Sequence, residues 1–216
     1  MRICKRMFLV GALAFAVQAA AQVSWENSLV ENGNFAQGGA TAAGWNTGFF
    51  DGAKGSVQRI STGDAAHPNA LVLKFTAPAK GLIQVESKPF RLPVNGPRRI
   101  RLVTEHNGGG LIQIRFFSVE KGKGLVWLKR ADGSPVKLEQ VLKPGKDWNK
   151  TVSEWTLSKE RLAQNLFANV VIMSWASKTE LKVASISLQF NKLPAAPAAK
   201  SVPAAKTAPA VKAAQP

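Results

Sequence analysis

Much of the chain is written in a two-residue period. Apolar and polar positions alternate at 71–75 (LVLKF), 82–86 (LIQVE), 99–103 (RIRLV) and 111–117 (LIQIRFF). Successive side chains of a β-strand point to opposite faces, so this period predicts strands with one face buried. Runs rich in β-branched and apolar residues at 125–129 (LVWLK), 169–173 (NVVIM) and 183–190 (VASISLQF) predict further strands. Turn residues separate them: His67-Pro68-Asn69, Asn95-Gly96-Pro97, Asn107 to Gly110, Ala131 to Pro135, and Pro144-Gly145. Many short strands broken at fairly regular spacing predict an all-β fold, an antiparallel β-sandwich with at most one short helix. That helix is expected over 158–167 (SKERLAQNLF), where Ser158 can cap and Leu162 and Leu166 share a face. The glycine-rich turn Asn107 to Gly110 reads as a hairpin. It would set Arg99, Arg101, Val103 and Glu105 beside Gln113, Arg115 and Phe117 on one sheet face.

The two ends break the period. Residues 1–21 have the parts of a secretory signal: Arg2, Lys5 and Arg6, an apolar run from Met7 to Val17, then Ala19-Ala20-Ala21. The apolar run is too short for the ~20 residues of a membrane-spanning helix. A secreted or periplasmic protein cleaved near Ala21 is expected, with no transmembrane segment. Residues 194–216 are almost only Ala, Pro, Lys and Val, a disordered tail without an aromatic to anchor it. Pro197, Pro203 and Pro209 recur every six residues, as do Lys200, Lys206 and Lys212. In polyproline II, with three residues per turn, the lysines share one side, so the tail is either a cationic stalk or a solvated spacer. Residues 22–193 remain as the folded domain.

Charge narrows the partners. The chain has 29 basic and 13 acidic residues, net +16. Removing the three signal cations leaves 26 against 13, or +13. Such a protein is drawn to anionic surfaces: acidic polysaccharide, cell-wall polymer or lipid headgroups. Export and the lack of a recognition motif argue against a specific nucleic-acid partner. Cys4, the single cysteine, lies in the signal, which excludes a disulfide framework or a cysteine nucleophile in the rest. His67 and His106 are expected as surface residues at a turn and a strand end, too few for a metal site or a triad. Glu86, Glu105 and Glu120 lie in or beside strands; a glycosidase would need two of them facing across a cleft. No nucleotide-binding motif follows Gly108 to Gly110. A non-catalytic protein is expected.

Several motifs occur in a telling order. Leu29-Val30-Glu31-Asn32-Gly33-Asn34-Phe35 leads to Gly44-Trp45; Pro89-Phe90-Arg91-Leu92-Pro93 leads to Gly96; Lys146-Asp147-Trp148 leads to Trp155-Thr156-Leu157; and Val183 to Leu188 closes the series. In these the chain resembles the carbohydrate-binding modules of the family 4/9/22 group across about 29–190. The resemblance implies a galactose-binding-like jelly roll, a concave sheet as ligand platform, and core positions for Trp45 and Trp148. In that group an acidic residue follows the aromatic of the opening turn, and an acidic pair sits in the closing strand; together they help hold a structural calcium. Here those positions are Ala36 and Ala184-Ser185. Calcium needs several oxygens, generally with carboxylates among them. No cofactor is therefore expected, and calcium is doubtful.

Sugars stack C–H faces on flat rings while a few polar groups fix their orientation. The chain has six Trp, eleven Phe and no Tyr. Trp127 and Trp175 stand beside polar residues and are the surface candidates. Trp25 is expected to be disordered or to pack on an edge. Arg101, Gln113 and Arg115 supply guanidinium forks and an amide for hydroxyls or carboxylates. The expected ligand-binding set is Arg101, Gln113, Arg115, Trp127 and Trp175. The expected ligand is an acidic or cell-wall glycan, or another anionic envelope polymer. The alternative is a structural envelope-interaction protein on the same fold, without a sugar site.

Overall fold

The computed structural model describes residues 24–76, 80–92, 98–157, 166–176 and 180–191. Among them the chain forms β1 (Trp45–Phe50), β2 (Gly55–Ser61), β3 (Asn69–Phe75), β4 (Leu82–Ser87), β5 (Phe90–Arg91) and β6 (Arg98–Asn107). There follow β7 (Gly110–Glu120), β8 (Gly124–Trp127), β9 (Lys137–Leu142), β10 (Asn149–Leu157), β11 (Phe167–Trp175) and β12 (Glu180–Phe190). One sheet has the order β1-β4-β11-β7-β8, with β5 paired to β11 and β9 to β7; the other has β10-β6-β12-β3-β2. The strand pairings among the described residues are antiparallel, as in an all-β sandwich. No described residue is helical, and no helix long and apolar enough to cross a membrane occurs among them. Residues 158–165 of the expected helix, the signal and the tail lie outside the described residues, while Phe167 opens β11.

The sheets meet through the apolar half of each alternation. Ile83, Val85, Ile112, Ile114, Val170 and Ile172 of the seven-stranded sheet pack with Leu71, Leu73, Ile100, Leu102, Ile186 and Leu188 of the five-stranded one. Burying each such side chain stabilises the fold by about 1.5–3 kcal/mol. Gln140 of β9 crosses the interior: its Oε1 accepts from Thr104 Oγ1 at 2.7 Å, and its Nε2 donates to the Leu102 carbonyl at 3.2 Å.

β6 and β7 are not neighbours. β6 pairs with β10 and β12, and β7 with β8, β9 and β11. The turn Asn107 to Gly110 carries the chain from one sheet to the other instead of closing a hairpin. Alternation fixes which face of a strand is buried but not which strand lies beside it. The glycines serve the crossing. Gly108 has φ 93°, and a Cβ on it would meet the Glu180 carbonyl oxygen at 2.4 Å.

His106 is fully buried, which corrects its surface assignment. It shares inward parity with Ile100, Leu102 and Thr104 along β6. Its Nδ1–H donates to the Gly108 carbonyl at 3.0 Å, so Nε2 accepts from the Thr151 hydroxyl at 2.9 Å. Burial pulls its pKa below the ordinary histidine range.

The opening segment is tied into the core. Phe35 is fully buried and tilted against Trp45 at 5.3 Å. Asn32, at φ 49°, donates through its amide to the carbonyls of Gln37 and Ala43, closing the loop between them. Gly33 lies so close to β12 that a Cβ would sit 2.1 Å from the Ile186 carbonyl oxygen. Trp45 is a core residue; Trp148 is only half-buried and stacks on His67 at 4.7 Å.

Candidate functional site

The seven-stranded sheet has one face on the core and one away from it. Directly paired residues of antiparallel strands share a face. Across the middle of the outward face runs the row Asn46, Glu86, Val171, Gln113, Glu139. On one side comes Asn169, Arg115, Lys137, then Phe167, Phe117, Trp127. On the other side comes Gln84, Met173, Leu111, Val141, then Phe50, Leu82, Trp175. The Phe167 and Trp175 rows stand eight residues apart on β11, or roughly 26 Å at about 3.3 Å per residue.

The middle of the face is a closed polar network. Arg115 donates from Nη1 to Glu86 Oε1 at 3.0 Å, from Nη2 to Gln84 Oε1 at 2.8 Å, and from Nε to Gln113 Oε1 at 3.2 Å. Gln84 also donates to Glu86, and Asn169 donates to Glu86 Oε2 at 3.2 Å. Gln113 donates to Glu139 Oε1 at 2.8 Å, where Lys137 also arrives at 2.8 Å. Those two donors, Lys137 first, hold the Glu139 carboxyl below the usual range. Gln84, Gln113, Arg115 and Asn169 are buried although they face away from the core. Burial lowers the Arg115 pKa while Glu86 opposes the shift; a guanidinium stays charged all the same. The face is thus charge-balanced, Arg115 and Lys137 against Glu86 and Glu139. Asn169 Oδ1 is buried without a hydrogen-bond partner.

Aromatic rings stand at both ends. Trp127 is 38% exposed, with the Arg115 guanidinium 5.0 Å from its ring centroid and Phe117 edge-on at 6.0 Å. Trp175 is 40% exposed, in the row of exposed Phe50.

Gln113, Arg115, Trp127 and Trp175 therefore share one sheet face, the first three close together and Trp175 at the far end. Arg101 does not join them. It lies on the outward face of the five-stranded sheet, where its Nε donates to Glu154 at 3.1 Å and its guanidinium covers Trp25 at 4.7 Å. Trp25 is ordered at that sheet's edge, bridging to Asn191. Alternation alone groups Arg101 with Arg115, because a hairpin at Asn107 to Gly110 would set β6 beside β7; the crossover puts the two residues on different sheets. The sequence reading missed Gln84, Glu139 and Asn169 and gave Glu86 no place on this face, although alternation in LIQVE already set Gln84 and Glu86 opposite the core residues Ile83 and Val85. Glu86, Glu105 and Glu120 do not converge: Glu105 is on the five-stranded sheet and Glu120 ends β7.

The residues present do not fit the calcium that the family resemblance implies. Ala36, Ala184 and Ser185 offer no carboxylate. The opening-loop carbonyls already face a fixed cation, Arg59 of β2. Its guanidinium donates to the carbonyls of Phe35, Ala36 (2.9 Å) and Gly38 (3.4 Å), and to Asn69 Oδ1 at 2.9 Å. Among the described residues, no group of three or more His, Cys, Asp or Glu could hold a metal ion.

No protein-family model matches the chain, and no curated protein matches it in sequence. Solved structures do resemble it. The enzymatically active domain of tailspike protein 4 from bacteriophage CBA120 is 13% identical with TM-score 0.56, over 76% of this chain and 21% of that one. The Stig cyclase Fisc from Fischerella sp. TAU is 11% identical with TM-score 0.52, over 78% of this chain and 98% of that one. Carbohydrate-binding modules are also among the neighbours. The family 11 module of the Clostridium thermocellum cellulase Lic26A-Cel5E is 13% identical with TM-score 0.47, over 80% of this chain and 97% of that one. At such identities the likeness shows the fold alone, so function must be argued from the site.

Proposed function

We propose that this protein is an exported, non-catalytic carbohydrate-binding module that takes its ligand on the outward face of the seven-stranded sheet. One observation carries the reading: exposed tryptophans stand at both ends of a face whose middle is a preorganised polar network. Trp127 and Trp175 offer rings to sugar C–H faces, while the partly exposed carboxylates of Glu86 and Glu139 offer acceptors to hydroxyls. Preorganised side chains lose little freedom on binding. The charge balance of the face favours a neutral stretch of a cell-wall glycan. The acidic glycan expected from total charge would have to engage basic residues elsewhere. Glu86 and Glu139 stand three strand spacings apart in their row. At about 4.8 Å each their backbones are roughly 14 Å apart, and both carboxylates are already bound by neighbouring donors, Arg115 and Asn169 on Glu86 and Lys137 and Gln113 on Glu139, which supports the non-catalytic reading.

The structural alternative draws on the same network, because Arg115, Gln84 and Gln113 already satisfy one another. Affinity electrophoresis through neutral and acidic polysaccharides separates the two. Retardation of the wild type that Trp127→Ala abolishes supports a binding module. A folded wild type that no polysaccharide retards supports the structural protein.

A further inference from the structure

β7 and β8 form a hairpin at the edge of the seven-stranded sheet, and the outward side of this hairpin is apolar to its tip. Val119 and Leu125 are a directly opposed pair, continuing the face of Phe117 and Trp127. Val119 is 53% exposed and Leu125 41%. Cross-strand apolar pairs normally cover part of a core; this one stands in solvent at the end of the sheet. Lys121 and Lys123 lie in the turn at the tip, and Lys129 and Arg130 follow the base of β8, all exposed. Only Glu120 and Asp132 oppose them. Lys123 Nζ is 3.0 Å from Glu120, and Asp132 is engaged by the Ser134 backbone and hydroxyl.

We propose that the tip of this hairpin docks on an anionic lipid surface, with Val119 and Leu125 entering the headgroup–acyl boundary and the turn cations Lys121 and Lys123 meeting lipid phosphates. The chemistry distinguishes lipid from anionic polysaccharide. A glycan offers no acyl phase to receive an exposed Val–Leu pair, whereas a bilayer offers both that phase and negative charge. Trp127 stands at the base of the stripe, a ring type that suits the interfacial level. Pairing between β7 and β8, and the Lys123 amide bonded to the Glu120 carbonyl at 3.1 Å, satisfy backbone groups near the tip. Trp127 borders both surfaces, but substitutions at the hairpin tip leave it and the polar network of the glycan platform in place, so the two proposals stand or fall separately.

The test is co-sedimentation of the chain from Gln22 to Pro216 with vesicles of phosphatidylcholine alone or mixed with phosphatidylglycerol. The wild type is compared with Val119→Glu/Leu125→Glu and with Lys121→Glu/Lys123→Glu, all carrying the same lysine-containing tail. Unchanged circular dichroism and melting temperature establish that the variants fold; Val119→Ser/Leu125→Ser replaces the first if it does not. The expected result is binding to mixed vesicles but not to phosphatidylcholine alone, weakened at least roughly tenfold by either double variant. Wild type that does not bind mixed vesicles overturns the proposal. So does binding that both folded variants retain, which assigns attraction to charge elsewhere. Variant-sensitive binding to a soluble acidic polysaccharide without vesicle binding assigns the surface to a polymer instead.

Discussion

Arg59→Met tests whether a side chain does the work of a structural cation. The substitution keeps an apolar stem and removes the guanidinium that joins the carbonyls of Phe35, Ala36 and Gly38 to Asn69. A hydrogen bond from a charged donor contributes about 1.5–3 kcal/mol when well formed and shielded. Here the contact to Gly38 is long and those to Ala36 and Gly38 are solvent-exposed. Freed carbonyls on an exposed loop regain water, so the summed loss is about 2–4 kcal/mol. At about 2–4 °C per kcal/mol for a domain of this size, the melting temperature falls by roughly 4–16 °C. The assay is thermal unfolding followed by near-ultraviolet circular dichroism, which reports Trp45 beneath the loop, with and without chelator. Wild type melts at the same temperature in chelator and in calcium, and calcium does not rescue the variant, because Ala36 and Ser185 bring no carboxylate. A wild-type transition that drops on chelation, or a variant within about 0.5 kcal/mol of wild type, refutes the reasoning.

Gly33→Ala forces a Cβ against the Ile186 carbonyl oxygen, where the added atom would lie at 2.1 Å. Urea denaturation is expected to show a loss above about 2 kcal/mol, as for other steric clashes in a packed site. His106 titrates below its ordinary value because it is buried. Between the lowered native pKa and the unfolded value of about 6.5, the unfolded state binds the extra proton, so stability is complete above this window and is lost as pH falls through it. In His106→Gln that part of the pH slope should vanish from denaturation midpoints; an unchanged slope assigns it to other groups. Arg115→Met strips Glu86 of its guanidinium and should cost about 1–3 kcal/mol, less than a fully buried pair because Glu86 is partly exposed. Arg101→Met removes an exposed pair with Glu154 and the guanidinium over Trp25 and should cost about 1 kcal/mol or less. Equal losses in the two denaturation curves would contradict the placement of Arg101 and Arg115 on different sheets.

The two-residue period made the fold class legible, since β3, β4, β6 and β7 coincide with its runs, and the β-rich runs fall on β11 and β12. It was weaker where polar residues occupy inward positions. β9 reads KLEQVL, and Gln140 takes the inward place between Leu138 and Leu142, so the apolar alternation fails where the sheets are tied together. β2 reads GSVQRIS, and its Arg59 shares the inward parity of Leu71 but reaches beneath the opening loop. Neighbour relations were not legible at all. Gly108 and Gly110 fit a tight hairpin and a crossover equally well, and only the crossover puts Ile112 and Ile100 in facing layers. That error sent Arg101 to the wrong face. The tryptophans were more readable: Trp127 and Trp175 each adjoin polar residues and are exposed, while Trp45 is buried against Phe35.

The proposed glycan site depends on Trp127 presenting its ring to sugar on the outward face of the seven-stranded sheet. Affinity electrophoresis of wild type and Trp127→Ala through a panel of neutral cell-wall polysaccharides tests it most directly, with matched melting temperatures as the control for folding. At least one neutral polysaccharide is expected to retard the wild type, and Trp127→Ala to weaken that affinity at least roughly tenfold, about 1.4 kcal/mol. Retardation unchanged in the folded variant would contradict it.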